Sequence, residues 1–339
     1  MRAMILKNIS EVEDRPLELV ELPEPVPGPG QLLVRVSACG VCHTELDEIE
    51  GRAAPTRFPI VLGHEIVGRV EGLGAGASRF KPGDRVGIDW LNWACGRCSF
   101  CLSDRENLCA EAKWTGKDVD GGYAEYTVVS EDFAYSIPAR FSDVQAAPLL
   151  CAGVVGYRAL RLSGMEDGKV LGLYGFGASA HIIIQVVKHR YPASRVFVFT
   201  RPQQEEHRQL ARRLGADWTG STGDTAPKKL DCAIDFTPVG IPVREAMRNL
   251  EKGGRVTINA IRKVTPIPEL DYTEHVWWEK ELKSVANVTR RDAEEFLPLA
   301  AEIPIVPETQ EFRLSEVNEA LVLLKAGTIN GAAVLNLAD

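Results

Sequence analysis

The 339-residue chain contains no apolar run long enough to span a bilayer. Its start, Met1-Arg2-Ala3-Met4-Ile5-Leu6, turns polar too soon to be a signal peptide. Basic charge is not in excess: 39 lysines and arginines face 47 aspartates and glutamates, a net charge of −8. That balance argues against nucleic acid and against an anionic membrane as the main partner. Internal repeats and low-complexity segments are also lacking, so the chain is not a solenoid or a linker. The eight cysteines do not form a disulfide framework; they crowd into metal-type spacings, which fits a reducing compartment and a cytoplasmic location. Apolar content of 45% and charged content of 25% are those of a soluble globular protein, and the length predicts two domains.

Seven of the cysteine and histidine side chains fall into two clusters. Cys95, Cys98, Cys101 and Cys109 lie in C-G-R-C-S-F-C-L-S-D-R-E-N-L-C. Four thiolates at this spacing can wrap one tetrahedral zinc ion in a closed shell, which leaves no place for substrate and predicts a structural site. Cys42 in G-V-C-H-T-E, His64 in G-H-E and Cys151 in P-L-L-C-A-G form a second, scattered set. Two sulfurs and one imidazole leave a fourth tetrahedral position open, the arrangement of a catalytic zinc, with Glu65 as a carboxylate behind the metal. Cys39 and Cys42 also make C-x-x-C, but the surrounding pattern is not that of a thioredoxin-like redox motif. Cys39 and Cys232 read as small buried residues.

Up to about residue 150, short β-like runs such as 32–36 and 66–70 are cut by turns rich in proline and glycine. This predicts a mostly antiparallel small barrel. The texture then changes. A strand at 170–174 runs into Gly175-Phe176-Gly177-Ala178-Ser179-Ala180, a helical stretch with Ile182, Ile183, Val186 and Val187 follows, and a second strand spans 195–200. A helix over 205–214 and strands at 232–236, 256–259 and 284–286 complete an alternation that implies a doubly wound parallel sheet, so the fold class is α/β. After about residue 288 the chain returns to the first domain. The expected division is 1–152 with 288–339, and 153–287.

Gly175, Gly177 and Ala180 sit where a dinucleotide fingerprint belongs, between a strand and a helix, letting pyrophosphate approach the helix N-terminus. The second strand ends in Thr200-Arg201. No carboxylate is there for a ribose 2′-hydroxyl, whereas Arg201 suits a 2′-phosphate, a pattern that favours NADP over NAD.

The combination of G-V-C-H-T-E, G-H-E, K-P-G-D-R-V at 81–86, the four-cysteine loop, G-G-Y-A-E-Y at 121–126 and the glycine-rich core resembles the zinc-containing medium-chain alcohol dehydrogenases over essentially the whole chain. The resemblance implies a GroES-like β-barrel catalytic domain, a Rossmann coenzyme domain, two zinc ions per subunit, an alcohol or aldehyde substrate, and homodimers or homotetramers. It implies that Cys42, His64 and Cys151 hold the catalytic zinc and that Cys95, Cys98, Cys101 and Cys109 hold the structural one. Thr44 corresponds to the hydroxyl that relays the alcohol proton, His43 to a residue near the coenzyme pyrophosphate, and Trp90 and Leu91 to the substrate pocket. Three positions depart from the family pattern. Asp47 replaces the relay histidine, so proton release uses Asp47, water or another route. Glu45 is one methylene longer than the usual aspartate, and Ala332 stands where an arginine grips pyrophosphate in many relatives. The rival readings are a polyol or formaldehyde-type dehydrogenase of the same superfamily, and a zinc- and nucleotide-binding protein without turnover.

Overall fold

The computed structural model describes every residue except Pro304, Asn330 and Asp339. It divides into two compact units: Met1–Cys151 with Val288–Ala301 and Val306–Asp339, and Ala152–Asn287 with Glu302–Ile305.

The first unit is built from ten strands at the start of the chain. They are β1 (Arg2–Leu6), β2 (Leu17–Glu21), β3 (Gln31–Val41), β4 (Ile60–Val61), β5 (Glu65–Leu73), β6 (Arg85–Ile88), β7 (Leu91–Trp93), β8 (Lys113–Trp114), β9 (Tyr126–Ser130) and β10 (Tyr135–Ser136). Helix α1 (His43–Ile49) follows β3, and α2 (Asp143–Ala146) comes near the end of this stretch. In β3, Leu32, Val34 and Val36 are buried at every second position, the period of a strand with one face on a core. β3 pairs antiparallel with both β5 and β9, and α1 leaves its end directly. Cys42 is therefore fixed at a strand-to-helix junction, and His64 is delivered at the start of β5, whose Glu65 lies opposite Gly40 of β3. The core draws on both the β2-β1-β4 sheet and the larger sheet: Leu6, Ile60, Leu32 and Ile66 are all fully buried in it.

In the second unit, β11 (Val170–Tyr174), β12 (Arg195–Thr200), β13 (Trp218–Ser221), β14 (Leu230–Asp235), β15 (Leu250–Ile258) and β16 (Glu281–Ser284) form one sheet in the order β13-β12-β11-β14-β15-β16. Every pairing in it is parallel. The connecting segments carry α3 (Ala152–Ser163), α4 (Ala178–Arg190), α5 (Glu205–Arg213) and α6 (Ile241–Asn249). All five residues of β11 are buried, as expected for a central strand covered on both faces. The last strand lies at 281–284, three residues before the expected start at 284. Its sequence, Glu-Leu-Lys-Ser, is exposed at every position because it is an edge, so no apolar signal marked it; the hydrogen bond from Val285 N to Ile258 O continues the pairing.

The chain then returns through α7 (Arg290–Glu302), β17 (Thr309–Arg313), α8 (Val317–Ala326) and β18 (Ala332–Asn336). β18 pairs antiparallel with β3, extending the first unit's large sheet to β10-β6-β5-β3-β18-β17. Among the described residues, no helix is long and apolar enough to cross a membrane.

Candidate active site

Cys42 is the N-cap of α1, in extended conformation, and the helix opens with a capping box. Glu45 Oε2 accepts the Cys42 backbone N–H at 2.9 Å. The other oxygen, Oε1, lies 2.6 Å from His64 Nδ1. One carboxylate thus fixes the backbone that carries the thiol and the ring that carries the imidazole. With Nδ1 committed to Glu45, the ring's Nε2 is the nitrogen left free to meet a metal. The extra methylene of Glu45 does not break the contact; the side chain is fully buried and spans the distance.

Cys42 Sγ and Cys151 Sγ stand 3.8 Å apart. Two sulfurs bound at about 2.3 Å to one tetrahedral ion are separated by about 3.8 Å, so the pair already has the spacing that zinc requires. Ligand atoms from Cys42, His64, Glu65 and Cys151 all lie within 4.8 Å of one another. The hydrogen bond from Cys151 lowers the Cys42 thiol well below its usual range, and the reciprocal effect raises Cys151. A cation bound between the two sulfurs would favour their deprotonated forms. Burial, followed by the charge of Cys42, pushes Glu65 up. Glu65 also explains Gly40: a Cβ there would lie 1.9 Å from Glu65 Oε2. Thr44 is buried, with its hydroxyl 3.7 Å from Cys42 Sγ. His43, the first residue of the helix, is exposed.

Asp47 is buried on α1 and bonded by Arg52 Nε at 2.5 Å. Arg52 also pairs with Glu50, which in turn holds Lys325 of α8. Trp90 places its ring 6.0 Å from that of His64 and 4.9 Å from that of Trp114, beside the donor group. Leu91 is fully buried in the first unit's core. Glu48, one turn after Thr44, was not marked by the sequence. It is fully buried, and burial raises it well above the usual carboxylate range, with the Trp90 side chain acting the other way.

The second cysteine set is equally compact. Ligand atoms of Cys95, Cys98, Cys101 and Cys109 lie within 4.8 Å of one another, with Sγ–Sγ separations of 3.9 Å for Cys95–Cys101 and 3.5 Å for Cys98–Cys101. These are far beyond a disulfide bond and close to the spacing around a tetrahedral ion. The loop turns through short 3₁₀ segments at Cys101–Ser103 and Glu106–Leu108. Backbone N–H groups, Arg97 first, bring Cys95 down to about 7.

In the second unit, Gly175 ends β11 with φ +82°, and a Cβ there would meet Thr237 Cγ2 at 2.9 Å. Only glycine makes this turn at low cost. Gly177 is the N-cap of α4 with open space around it, and Ala180 is buried in the helix. The first N–H groups of α4 are thus uncapped by any side chain, as an anion site needs. At the end of β12, Thr200 is buried and its hydroxyl accepts from Arg208 Nε at 2.9 Å. Arg208 also donates to Arg201 O and to Ser221 Oγ. Arg201 is exposed. Arg208, in the first turn of α5, is a second guanidinium at this strand end that nothing in the sequence marked. Ala332 starts β18 opposite Thr309 in the first unit.

Residues 28–139 match the family model described as the alcohol dehydrogenase GroES-like domain. A probable alcohol dehydrogenase of Mycobacterium tuberculosis is 43% identical over 340 residues, covering 99% of this chain and 97% of the relative. An alcohol dehydrogenase of Geobacillus stearothermophilus is 35% identical over 352 residues, covering 99% of this chain and 100% of the relative. Among solved structures, the alcohol dehydrogenase of the hyperthermophilic archaeon Aeropyrum pernix has a TM-score of 0.85 at 26% identity, covering 99% of this chain and 100% of that one. A cinnamyl alcohol dehydrogenase from Sorghum bicolor has a TM-score of 0.84 at 26% identity, covering 99% and 97%. The fold is accordingly a GroES-like domain with a parallel-sheet Rossmann-like domain. Identity of 35–43% over nearly the full length of both chains makes this chain a member of the zinc-type medium-chain alcohol dehydrogenase family and an oxidoreductase acting on CH–OH groups.

Proposed function

We propose that the chain binds two zinc ions per subunit, a catalytic one at Cys42, His64 and Cys151 and a structural one at Cys95, Cys98, Cys101 and Cys109. The observation that carries the catalytic assignment is the 3.8 Å sulfur pair beside an imidazole whose Nδ1 is held by Glu45. Held there, a zinc ion would supply Lewis-acid chemistry to the oxygen of the alcohol or of its aldehyde or ketone, and a nicotinamide coenzyme at the glycine-rich turn would supply the hydride acceptor or donor.

The chain's own residues do the rest. Thr44, buried next to Cys42, receives the alcohol proton at its hydroxyl oxygen while passing on its own. Asp47, on the same short helix and tied to half-exposed Arg52, is the carboxylate on the proton's way to solvent. Glu65 adds a carboxyl group beside the metal ligands, and Trp90 supplies an apolar wall for the substrate carbon chain. His43 is exposed at the opening of α1 and is available to the coenzyme pyrophosphate.

For the coenzyme, Gly175, Gly177 and Ala180 open the α4 N-terminus to pyrophosphate. Thr200 spends its hydroxyl on Arg208, and no carboxylate ends β12, so a ribose 2′-hydroxyl finds no acceptor of the usual kind. Arg201, exposed beside Thr200, offers its guanidinium to a 2′-phosphate, which favours NADP, while Arg208 is held against Thr200, Ser221 and Glu205. The coenzyme domain is residues 153–287, and the zinc-bearing domain is 1–152 with 288–339. A cytoplasmic location fits the unpaired cysteines. A homodimer or homotetramer fits the outer edge of β16, exposed at all four positions.

The test is kinetic. Alcohols of increasing size with NADP and with NAD should give reduced-coenzyme absorbance, and Thr44→Ala should slow the hydride-transfer step. Coenzyme binding without alcohol-dependent turnover would favour the non-catalytic reading instead.

A further inference from the structure

At the amino-terminal edge of the parallel sheet, where β14 and β15 begin, lies a cavity of about 260 Å³. The glycine-rich turn follows the carboxyl end of β11, so this cavity is at the opposite edge of the same sheet. Its lining has a charge balance unlike the rest of the chain. Four cations, Lys229, Arg248, Lys252 and Lys280, face two carboxylates, Glu251 and Glu274, in a chain whose net charge is −8.

The cations are anchored without being neutralised. Lys280 Nζ donates to Met247 O at 2.8 Å and to Glu274 O at 3.0 Å, leaving one of its three N–H bonds uncommitted. Lys229 Nζ donates to Arg248 O at 2.7 Å, and Lys252 Nζ lies 4.1 Å from the centre of the Trp278 ring. Among the described residues, none of these three lysines has a carboxylate within ion-pair distance. Arg248 alone is paired, with Glu245. Burial, and after it the charge of Lys229, lowers Lys280 from its ordinary value, while Glu274 and Glu251 act in the opposite direction. An anion in the cavity would meet three ammonium groups that have no carboxylate partner of their own.

We propose that this cavity binds a compact polyanion of the phosphate class, in a site separate from the coenzyme's. Its volume is below the about 300–1,000 Å³ of pockets for drug-sized ligands, so the ligand is small. Point-charge ammonium groups converging from β15, from the segment before β14 and from the segment before β16 suit a multiply charged group better than a single carboxylate.

The probe is inorganic pyrophosphate, titrated by calorimetry at constant ionic strength into enzyme saturated with nicotinamide coenzyme, so that the α4 N-terminus is already occupied. One saturable site per subunit is expected. The exposed substitution Lys252→Met, and with it Lys280→Met, should weaken binding by about tenfold for each lost contact, and Glu274→Gln should strengthen it. Circular dichroism of each variant checks the fold, and Lys252→Met with Glu274→Gln suffices if Lys280→Met does not fold. A parallel titration with ADP separates the sources: tighter binding than pyrophosphate assigns the site to a nucleotide, and equal or weaker binding assigns it to a free phosphate compound. No saturable heat, or binding that is the same in wild type, Lys252→Met and Glu274→Gln, overturns the proposal.

Discussion

Glu45 is the residue on which both the helix start and the imidazole depend, and Glu45→Gln separates those roles from simple packing. In the wild type, one carboxylate oxygen accepts the Cys42 N–H at 2.9 Å and the other meets His64 Nδ1 at 2.6 Å, in a fully buried setting. Glutamine has nearly the same shape but only one accepting oxygen; its amide nitrogen is a donor. It serves Cys42 or His64, not both. The abandoned donor is buried and unpaired, at about 1–3 kcal/mol, and the charge assistance to the other bond is also gone. Because both groups carry metal ligands, the loss appears as weaker metal binding, by about 10–100-fold for a substitution of this kind. The assay is competition for zinc against a chromogenic chelator. The four-cysteine site serves as an internal standard, since its ligands share no partner with Glu45, and its affinity should not move. If Glu45→Gln released neither zinc more readily than wild type does, the carboxylate would not be positioning His64, and the reading of the site would be wrong.

Asp89 gives a pH-dependent prediction: it is buried, Leu91 N donates to its Oδ1 at 2.9 Å, and burial raises it from 3.8 to about 8. Its folded value exceeds its unfolded one, so the folded state holds the extra proton between about pH 4 and pH 8 and stability falls as pH rises through that window. Asp89→Asn keeps the accepting oxygen and should flatten the slope in denaturant titrations; an unchanged slope refutes the assignment. Arg201→Ala should raise the KM for NADP by about 10–100-fold, from the loss of a charge-assisted contact of about 1.5–3 kcal/mol, with NAD constants little altered. Equal effects on both coenzymes would remove Arg201 from the 2′-phosphate site. Cys98→Ser should cost one zinc equivalent and open the 95–113 loop to protease, with the other zinc retained; retention of both ions would contradict the four-sulfur site.

Much of the fold was legible because two periods are written plainly in the chain. Leu32, Val34 and Val36 alternate in β3, and the wholly apolar β11 leads into a glycine turn and a helix whose Ile182, Ile183, Val186 and Val187 are all buried. β13 and β16 were less visible, since an edge strand is free to be polar and short. The two clusters of candidate metal donors were legible from residue type and spacing, and folding does bring each set together, although Cys151 is over eighty residues from His64 in sequence. The groups that orient them were harder to see. The Glu45 bond to His64 depends on the register of β3 against β5, which brings Glu65 opposite Gly40. Its spacing from Cys42, three residues into a helix, was a capping-box signal. Arg208 and Glu48 had no such signal: a guanidinium on a polar helix and an acidic residue in T-E-L-D-E read as solvated, yet folding buries Glu48 completely and points Arg208 at Thr200.

The central claim is that Cys42, His64 and Cys151 hold a zinc ion needed for turnover. Elemental analysis of the purified enzyme beside its alcohol-dependent reduction of coenzyme tests this most directly. The account predicts two zinc ions per subunit in the wild type, and one zinc with no measurable turnover in Cys42→Ala. Normal turnover, or two bound zinc ions, in that variant would contradict it.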